Sequence, residues 1–441
     1  MATRLLYDLM ARVSDAGRAL YGFAEEAPKT PEAVLLLADD LLEGRGEATG
    51  LALAREVLES YGALSGPDRR AFLLALTERF KVDPGRLGAA IAAWQADPTE
   101  AAARAVHAAA EPASQEFFRM LNRVPGGTAA LVAMRGDLLA ALDDAPHLRA
   151  IDADFRHLFG SWFNRGFLEL RQIDWNTSAA ILEKIIAYEA VHAIQDWDDL
   201  RRRVAAPDRR LYGFFHPSLP GEPLIFVEVA LTDEIPAAIG PILARERPLL
   251  DPAHATTAVF YSISNCQMGL RGISFGSFLI KQVVEELVTE APDVRTFVTL
   301  SPVPGLRRWA LGELAGGAES VLSPEARAAV QRLDPVDGSI DAQEAAAAAD
   351  QLGLIAARYL LEAKGRRGLP ADPVARFHLG NGARIERINL AADHSARGLA
   401  SAWGVMVNYL YHQDDIERNH EAYANEKTVA ASAQVRRMAR G

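Results

Sequence analysis

The pattern of apolar and polar positions divides the chain into two parts. Within residues 1–164, apolar residues recur every three or four positions, which is the spacing of an amphipathic helix. Thr30 and Pro31 precede one such run and Gly44 follows it, as expected for the start and the end of a helix. Glycine and proline separate the runs from one another. The pattern predicts an all-helical domain over residues 1–164.

Runs typical of β-strands begin after residue 164. They are rich in β-branched and aromatic residues, and turn-forming residues bound them. Five such runs are PLIFVEVALT (223–232), ATTAVFYSIS (255–264), VRTFVTLS (294–301), ARIERINLA (383–391) and WGVMVNYLY (403–411). SFLIKQVVEELVTEA (277–291) predicts a helix between the second and third runs, and helical spacing returns over residues 306–370. Residues 165–441 therefore predict a mixed α/β domain with one central sheet.

Composition and charge limit the classes of partner. The chain has 441 residues, of which 49% are apolar and 24% charged, ordinary values for a soluble globular protein. A net charge of −11 without a long basic stripe argues against nucleic acid as a partner, and any anionic ligand would need a local positive pocket. No window approaches about 18 uninterrupted apolar residues, so we expect no membrane span. The single cysteine, Cys266, favours a reducing compartment, and no targeting segment is evident, so we expect the cytoplasm.

The segment RGISFGSF (271–278) has two chemical interpretations. One is the G-x-S-x-G nucleophile elbow of a serine hydrolase, which would make Ser274 the nucleophile. An elbow requires its strand to end at the serine, but the predicted strand ends near Ser264, well before it. The pattern therefore favours a loop at Ser274, and a hydrolase stays open as an alternative.

The other interpretation is a loop that binds phosphate. Gly269, Gly272 and Gly276 would let the backbone approach an anion closely, and the following helix would present its first N–H groups and the positive end of its dipole. Arg271 adds a positive charge beside them. The spacing is neither the dinucleotide fingerprint nor a P-loop. We therefore expect this loop to hold the pyrophosphate of a nucleotide-type ligand.

Five long stretches, mostly in the C-terminal half, carry a family resemblance. They are FLELRQIDWNTSAAILEKIIAYEAVHAI (167–194), HPSLPGEPLIFVEVALT (216–232), FYSISNCQMGLRGISFGSFLIKQVVEEL (260–287), TLSPVPGLRRW (299–309) and FHLGNGARIERINLAADHSARGL (377–399). Together they resemble the malonyl-CoA decarboxylase family, and the N-terminal half matches mainly in being helical. The resemblance implies a helical domain followed by an acetyltransferase-like catalytic domain, and assembly into a homotetramer through the helical half.

The resemblance also implies the site residues. The family's functional pair is a serine in an LSP-x-PG motif and a histidine in an FHL-x-NGA motif, which fall here on Ser301 and His378. Animal members carry a carboxylate at the position of Ser274. The residues carried over as coenzyme A contacts are Arg271, Gly272, Ile273, Ser274, Phe275, Gly276 and Ser277.

The implied reaction, malonyl-CoA to acetyl-CoA and carbon dioxide, needs neither a metal nor an organic cofactor. Loss of carbon dioxide leaves an enolate, for which the thioester itself is the electron sink. Ser301, at the predicted end of a strand, can donate a hydrogen bond to the carboxylate or the enolate oxygen. His378, in a segment whose glycines suggest a turn, can supply the proton to the α-carbon. The reverse assignment of these two roles stays open.

Other functions remain open from the sequence. An acyl-CoA N-acyltransferase on the same fold would need an amine acceptor, a serine hydrolase would use Ser274, and a coenzyme A-sensing protein would use the helical domain as an interaction surface. The run Arg201-Arg202-Arg203 also has two interpretations. It could contact the 3′-phosphate of coenzyme A, but the pattern favours a surface charge run.

Overall fold

The structure is a computed structural model, and it describes residues 10, 12, 13, 15, 30–44, 46–273, 275, 279–316, 320–334, 347–365 and 368–440. The chain forms two compact units. The first unit comprises the chain up to Leu168 together with His216–Glu222 and Gln267–Phe275. The second unit comprises Glu169–Phe215, Pro223–Cys266 and Gly276–Gly441. The chain therefore leaves the first unit after Leu168 and returns to it twice.

The first unit is built from helices, as the sequence predicts. They are α1 (Pro31–Leu42), α2 (Glu47–Ala63), α3 (Gly66–Arg79), α4 (Pro84–Ala96), α5 (Glu100–Ala110), α6 (Ala113–Leu121), α7 (Gly127–Ala141) and α8 (Arg149–Trp162). The predicted start of α1 is confirmed, because the Thr30 hydroxyl accepts a hydrogen bond from Ala33 N at 3.3 Å and Pro31 occupies the first turn. Buried phenylalanines fill the core, where Phe118 and Phe155 stack with their centroids 4.1 Å apart.

The helices α4 and α5 are the least buried of the described α-helices of the first unit. No residue of α4 is buried, and Ala109 is the only buried residue of α5. Leu87, Ile91 and Trp94 recur on α4 at the spacing of one helix face. Ile91 is 38% exposed and Trp94 is 43% exposed, so this helix face is an apolar stripe open to solvent.

The second unit is a mixed α/β fold around one sheet, as predicted. Its strands are β1 (Glu169–Gln172), β2 (Arg209–Phe215), β3 (Pro223–Thr232), β4 (Thr257–Asn265), β5 (Thr296–Thr299), β6 (Ser301–Pro302), β7 (Arg384–Asn389) and β8 (Met406–Leu410). Their order in the sheet is β1-β2-β3-β4-β5-β8-β6, with β7 paired to β8. β4 and β5 run parallel, and the other strand pairs are antiparallel. Each of the five predicted strand runs forms a strand.

Two strands, β1 and β2, were not evident in the sequence. β1 has the polar sequence ELRQ and is largely exposed, so it lacks the apolar alternation of a half-buried strand. β2 is buried over nearly its whole length, and a strand covered on both faces shows no contrast between successive residues.

Helices and connecting segments cover the sheet. The helices of the second unit are α9 (Ala179–Tyr188), α10 (Trp197–Val204), α11 (Gly240–Leu243), α12 (Leu279–Glu290), α13 (Leu306–Ala315), α14 (Pro324–Leu333), α15 (Ala349–Leu361), α16 (Pro373–Gly380), α17 (Ala396–Ala402), α18 (Ile416–Glu426) and α19 (Ala433–Met438). One buried cluster packs Leu182 and Ile185 of α9 with Phe226 of β3. None of the helices seen in the described part of the chain is long and apolar enough to cross a membrane.

Candidate active site

Ser301 and His378 are brought together in the second unit. Ser301 begins β6 and is 6% exposed, while His378 lies in α16 and is 2% exposed. Ser301 Oγ and His378 Nε2 are 3.1 Å apart, within hydrogen-bond distance, although 77 positions separate the residues along the chain. Two residues that only a resemblance had singled out therefore form one direct contact.

The Thr299 hydroxyl holds the Ser301 hydroxyl in place at a point where side chains replace the backbone hydrogen bonds between β5 and β8. Where β8 passes Thr299, Tyr409 N donates to the Thr299 hydroxyl oxygen at 3.1 Å, and the Asn408 side-chain amide donates to the Thr299 carbonyl at 2.8 Å. The Ser301 hydroxyl donates to the same Thr299 hydroxyl oxygen at 2.9 Å. Side-chain groups thus satisfy the backbone at this point, and the Ser301 hydroxyl proton is directed at Thr299.

His378 lies in a helix, not in the turn that the sequence suggested. Asp372 caps this helix, because its carboxylate accepts hydrogen bonds from Val374 N at 2.9 Å and Ala375 N at 2.8 Å, and a proline follows the cap. The prediction was wrong because residues 380–382, Gly-Asn-Gly, mark the end of α16 rather than a separate turn.

A chain of hydrogen bonds fixes the orientation of the imidazole. Since the Ser301 proton is donated to Thr299, the Ser301 oxygen can accept a hydrogen bond from His378 Nε2–H. His378 Nδ1 then accepts a hydrogen bond from the Tyr411 hydroxyl, at 2.8 Å. Tyr409 stacks on the imidazole with the centroids 4.6 Å apart. From this network we assign the Nε2–H tautomer to His378.

The sequence analysis did not single out Tyr409 and Tyr411 for chemistry. Tyr409 lies in β8 and Tyr411 follows its last residue, and because they are two positions apart their side chains lie on one side of the backbone, against His378. Their alternation was visible in the run 403–411. What the sequence could not show is that His378, from a different element, packs against that side.

His378 and its hydroxyl partners bring no formal charge to the site. Burial lowers the pKa of His378 to about 3, so the imidazole is neutral near pH 7. Burial raises the pKa of the Tyr411 hydroxyl well above its usual value, and the pKa of Tyr409 rises chiefly for the same reason. The Tyr409 hydroxyl is buried and has no hydrogen-bond partner among the described residues. The arrangement offers hydrogen-bond donors in a water-poor environment.

Tyr359 of α15 connects the two segments that carry the pair. Its hydroxyl donates to Asp372 Oδ2 at 3.3 Å, and Asp372 caps the helix of His378. The same hydroxyl lies so close to Gly305, which follows Ser301 in the chain, that a Cβ atom on Gly305 would overlap it. The glycine of the LSP-x-PG motif is therefore required for steric reasons.

The predicted coenzyme A loop is described only in part. The described members are Arg271, Gly272, Ile273 and Phe275, whereas Ser274, Gly276 and Ser277 lie outside the described residues. Gly272 has a φ of +76°, a left-handed conformation that glycine adopts without strain. β4 ends at Asn265 and a 3₁₀ turn, Met268–Leu270, follows it, so the strand does not continue to residue 274 as a nucleophile elbow requires.

Arg135 of α7 holds this loop within the first unit. Its Nη1 donates to the carbonyl oxygens of Gly269 at 2.6 Å and Arg271 at 3.0 Å, and its Nε donates to Asp152 at 2.9 Å. Arg135 is 1% exposed, so its buried charge is balanced by Asp152. A Cβ atom on Gly269 would overlap the Val132 carbonyl oxygen, which shows how closely the loop approaches α7. No sequence pattern pointed to this link between the two halves of the chain.

Two arginines of the basic run 201–203 form ion pairs with carboxylates of the same chain. Arg203 is buried and pairs with Asp199 at 3.1 Å and with Glu228 at 3.3 Å. Arg202 pairs with Asp199 at 3.2 Å. The interpretation as a surface charge run is therefore wrong for Arg203, because its guanidinium neutralises carboxylates inside the fold and is not available to a phosphate.

Two family models match the chain. Residues 166–441 match the malonyl-CoA decarboxylase C-terminal domain, and residues 80–163 match the malonyl-CoA decarboxylase N-terminal domain. The mitochondrial malonyl-CoA decarboxylase of Anser anser anser is 36% identical over 413 residues, which are 86% of this chain and 82% of that protein. That of Rattus norvegicus is 36% identical over 408 residues, 85% of this chain and 82% of that protein.

Solved structures agree with these matches. The malonyl-CoA decarboxylase from Rhodopseudomonas palustris superposes with a TM-score of 0.90 at 54% identity, covering 93% of this chain and 100% of that chain. The one from Agrobacterium vitis superposes with a TM-score of 0.84 at 50% identity, covering 92% and 99%. Because sequence and fold agree over most of its length, the chain belongs to the malonyl-CoA decarboxylase family.

Proposed function

We propose that the protein is a carboxy-lyase that converts malonyl-CoA to acetyl-CoA and carbon dioxide. Family membership supplies the substrate class. The observation that carries the proposal is the 3.1 Å contact between Ser301 Oγ and His378 Nε2 in a buried, uncharged site. A reaction that ends by protonating a carbanion needs such donors and needs no acceptor amine.

In the proposed reaction the bond between the carboxylate carbon and the α-carbon breaks. Its electron pair is delocalised from the α-carbon onto the thioester oxygen as an enolate, and carbon dioxide leaves. The Ser301 hydroxyl, turned from Thr299 to the substrate, donates a hydrogen bond to the oxygen on which negative charge develops. Stabilisation of this kind is larger in a site that excludes water.

His378 delivers the proton that completes acetyl-CoA. Its imidazole is neutral, so the donor is Nε2–H, and a thioester enolate is basic enough to take a proton from it. The Tyr411 hydroxyl, hydrogen-bonded at Nδ1, stabilises the ring while it lacks that proton. A proton from water restores the imidazole when the product leaves.

The test is release of labelled carbon dioxide from carboxyl-labelled malonyl-CoA in a metal-free buffer without an amine. Ser301→Ala and His378→Asn should each lower kcat by about 100- to 1,000-fold, the usual effect of removing one donor from such a site. Coenzyme A binding, measured by calorimetry, should persist in both variants.

Matched controls replace exposed residues of the same types, Ser161→Ala and His254→Asn, and should keep wild-type turnover. Near-wild-type turnover in Ser301→Ala or His378→Asn would contradict the assigned roles. Product formation that depends on an added amine would instead identify an N-acyltransferase.

The loop from Arg271 to Ser277 is proposed to bind the pyrophosphate of coenzyme A. The left-handed Gly272 and the hydrogen bonds from Arg135 to the Gly269 and Arg271 carbonyls support this role, because they fix the backbone where the loop begins.

Assembly and cellular context complete the proposal. A homotetramer formed through the helical unit is supported by the exposed apolar stripe on α4. A reducing compartment, the cytoplasm, is supported by the single buried cysteine, Cys266. A role in fatty acid metabolism is supported by the proposed substrate and product, which are malonyl and acetyl thioesters.

A further inference from the structure

A basic pocket lies beside the first turns of α13 and α17 in the second unit. It encloses about 390 Å³. Its lining includes Arg307, Arg308, Arg397, Pro304, Leu311 and Ser401, and no carboxylate of a described residue is part of it. Three arginines are among the residues that line this site, in a chain whose net charge is −11.

The charge of this pocket is only partly balanced. Arg307 pairs with Asp334, its Nε lying 2.9 Å from Oδ1. Arg397 donates to the Ala190 carbonyl, which carries no formal charge. Arg308 is exposed and makes no hydrogen bond or ion pair with any residue in the described part of the chain. Of the three arginines, only Arg307 forms an ion pair with a described carboxylate, so Arg308 and Arg397 keep guanidinium charges that no such pair balances.

The chemistry of the lining favours a phosphate group on an organic molecule. Guanidinium groups bind phosphate oxygens through paired N–H donors, and they hold phosphate better than a point charge does. Pro304 and Leu311 add an apolar surface on which the organic part of a ligand can rest. A small inorganic anion would use the guanidinium groups alone.

We propose that this arginine pocket binds a phosphomonoester dianion. The inference rests on the proposed function, under which coenzyme A itself carries such a group as its ribose 3′-phosphate. Inorganic phosphate is not an ester, but it presents the same dianionic oxygens and is the second source of this chemistry. From the sequence, the run 201–203 was one candidate for contact with the 3′-phosphate. Arg202 and Arg203 instead form ion pairs with Asp199, and Arg203 also pairs with Glu228. The arginine pocket is proposed for that contact in their place.

Part of the pocket lies on the same segment of the chain as the proposed active-site hydroxyl. Arg307 and Arg308 follow Ser301 on the segment that runs from β6 into α13. That segment thus supplies both the proposed active-site hydroxyl and two phosphate-binding guanidinium groups. Binding of the nucleotide end can therefore contribute to KM while the chemistry at Ser301 sets kcat.

The experiment compares malonyl-CoA with malonyl-dephospho-CoA, which lacks the 3′-phosphate, in carbon dioxide release. The wild type should show a KM for the dephospho substrate about tenfold higher, the weight of a charge-assisted hydrogen bond. Arg308→Gln and Arg397→Gln should each bring the two KM values to within about threefold of each other, with kcat unchanged. Arg418→Gln, an exposed arginine outside the pocket, should keep the wild-type preference.

Calorimetry with inorganic phosphate distinguishes the two sources. If free phosphate is the ligand, the wild type will show no preference between the substrates but will bind phosphate, and Arg308→Gln will lose that binding. If the wild type shows neither the preference nor phosphate binding, or if both variants keep what the wild type shows, the pocket assignment is overturned. Failure of the proposed function gives a different result, absence of carbon dioxide release by the wild type from malonyl-CoA itself.

Discussion

At the scale of single residues, the environment of His378 decides the chemistry. The imidazole is buried between Tyr409 and Tyr411, and no described residue gives it a charged partner, so it remains neutral and acts as an N–H donor. The sequence offered the residue types at 301 and 378 only through a resemblance. It could not indicate the neutral state, because that state depends on burial by elements that lie far apart in the chain.

Folding stability should depend on pH through His378. The pKa of this imidazole is about 3 in the folded protein and about 6.5 when unfolded, so below about pH 6.5 the unfolded state binds a proton that the folded state does not. The free energy of unfolding should therefore fall as pH drops from about 6.5 toward 3, by up to about 1.4 kcal/mol per pH unit, and His378 should add no pH dependence above that range.

Urea unfolding at about pH 7, 6 and 5 measures this effect when the wild type is compared with His378→Asn. The wild type should lose stability faster on acidification, by about 1 kcal/mol per unit. Parallel pH dependences in the two proteins would show that His378 is not held neutral.

At the scale of elements, local patterns predicted strands well and the active-site helix poorly. β3, β4 and β8 are rich in β-branched and aromatic residues, which made them evident. α16 has only 8 residues, too few for a clear helical period, and its Gly-Asn-Gly end suggested a turn. The Asp372-Pro373 pair was the available sign of a helix start.

The close approach of the Tyr359 hydroxyl of α15 to Gly305 predicts that a second substitution can relieve the effect of a first. Gly305→Ala should destabilise the protein by about 1–3 kcal/mol and lower kcat, because the new methyl group overlaps the Tyr359 hydroxyl. Tyr359→Phe removes that oxygen, and the nearest ring carbon then lies 3.2 Å from the Cβ position, a tight but tolerable contact.

The double variant Gly305→Ala/Tyr359→Phe should therefore be more stable and more active than Gly305→Ala alone. Thermal unfolding and kcat of the two single variants and the double variant form the cycle that measures this. Strictly additive effects would rule out the proposed steric contact.

The hydrogen bonds from Arg135 of α7 to the Gly269 and Arg271 carbonyls lead to a separate prediction. Arg135→Lys keeps the charge but cannot reach Asp152 and both loop carbonyls at once, so we expect the Kd for coenzyme A to rise about tenfold with kcat at saturation nearly unchanged. Arg104→Lys, exposed on α5, is the control. Unchanged coenzyme A affinity in Arg135→Lys, measured by calorimetry, would remove the loop from the proposed binding site.

At the scale of the whole molecule, helical spacing correctly predicted the helices over the described residues between 30 and 164, because their runs are long, periodic and capped. The sequence did not reveal that residues 216–222 and 267–275 belong to the same compact unit as those helices. Such membership depends on contacts made across long stretches of chain, which leave no local pattern.

The stripe on α4 predicts assembly. Replacing Ile91 and Trp94 with glutamate puts two charges on an apolar face, so the sedimentation mass should fall below that of the wild-type oligomer while helical content is kept. Arg86→Glu, an exposed position on the same helix, tests whether added negative charge alone has this effect. A wild type that sediments as a monomer would refute the proposed tetramer.

The loop at Gly269 packs against the Val132 carbonyl and accepts a hydrogen bond from Arg135, and these contacts limit how the protein can be divided or recombined. A fragment that begins after the helical half would keep the strands and the contact between Ser301 and His378, yet its loop would lose its support. Chimeras between relatives would have to exchange α7 and the loop as a matched pair. The two halves are thus consecutive in the gene without being separable modules.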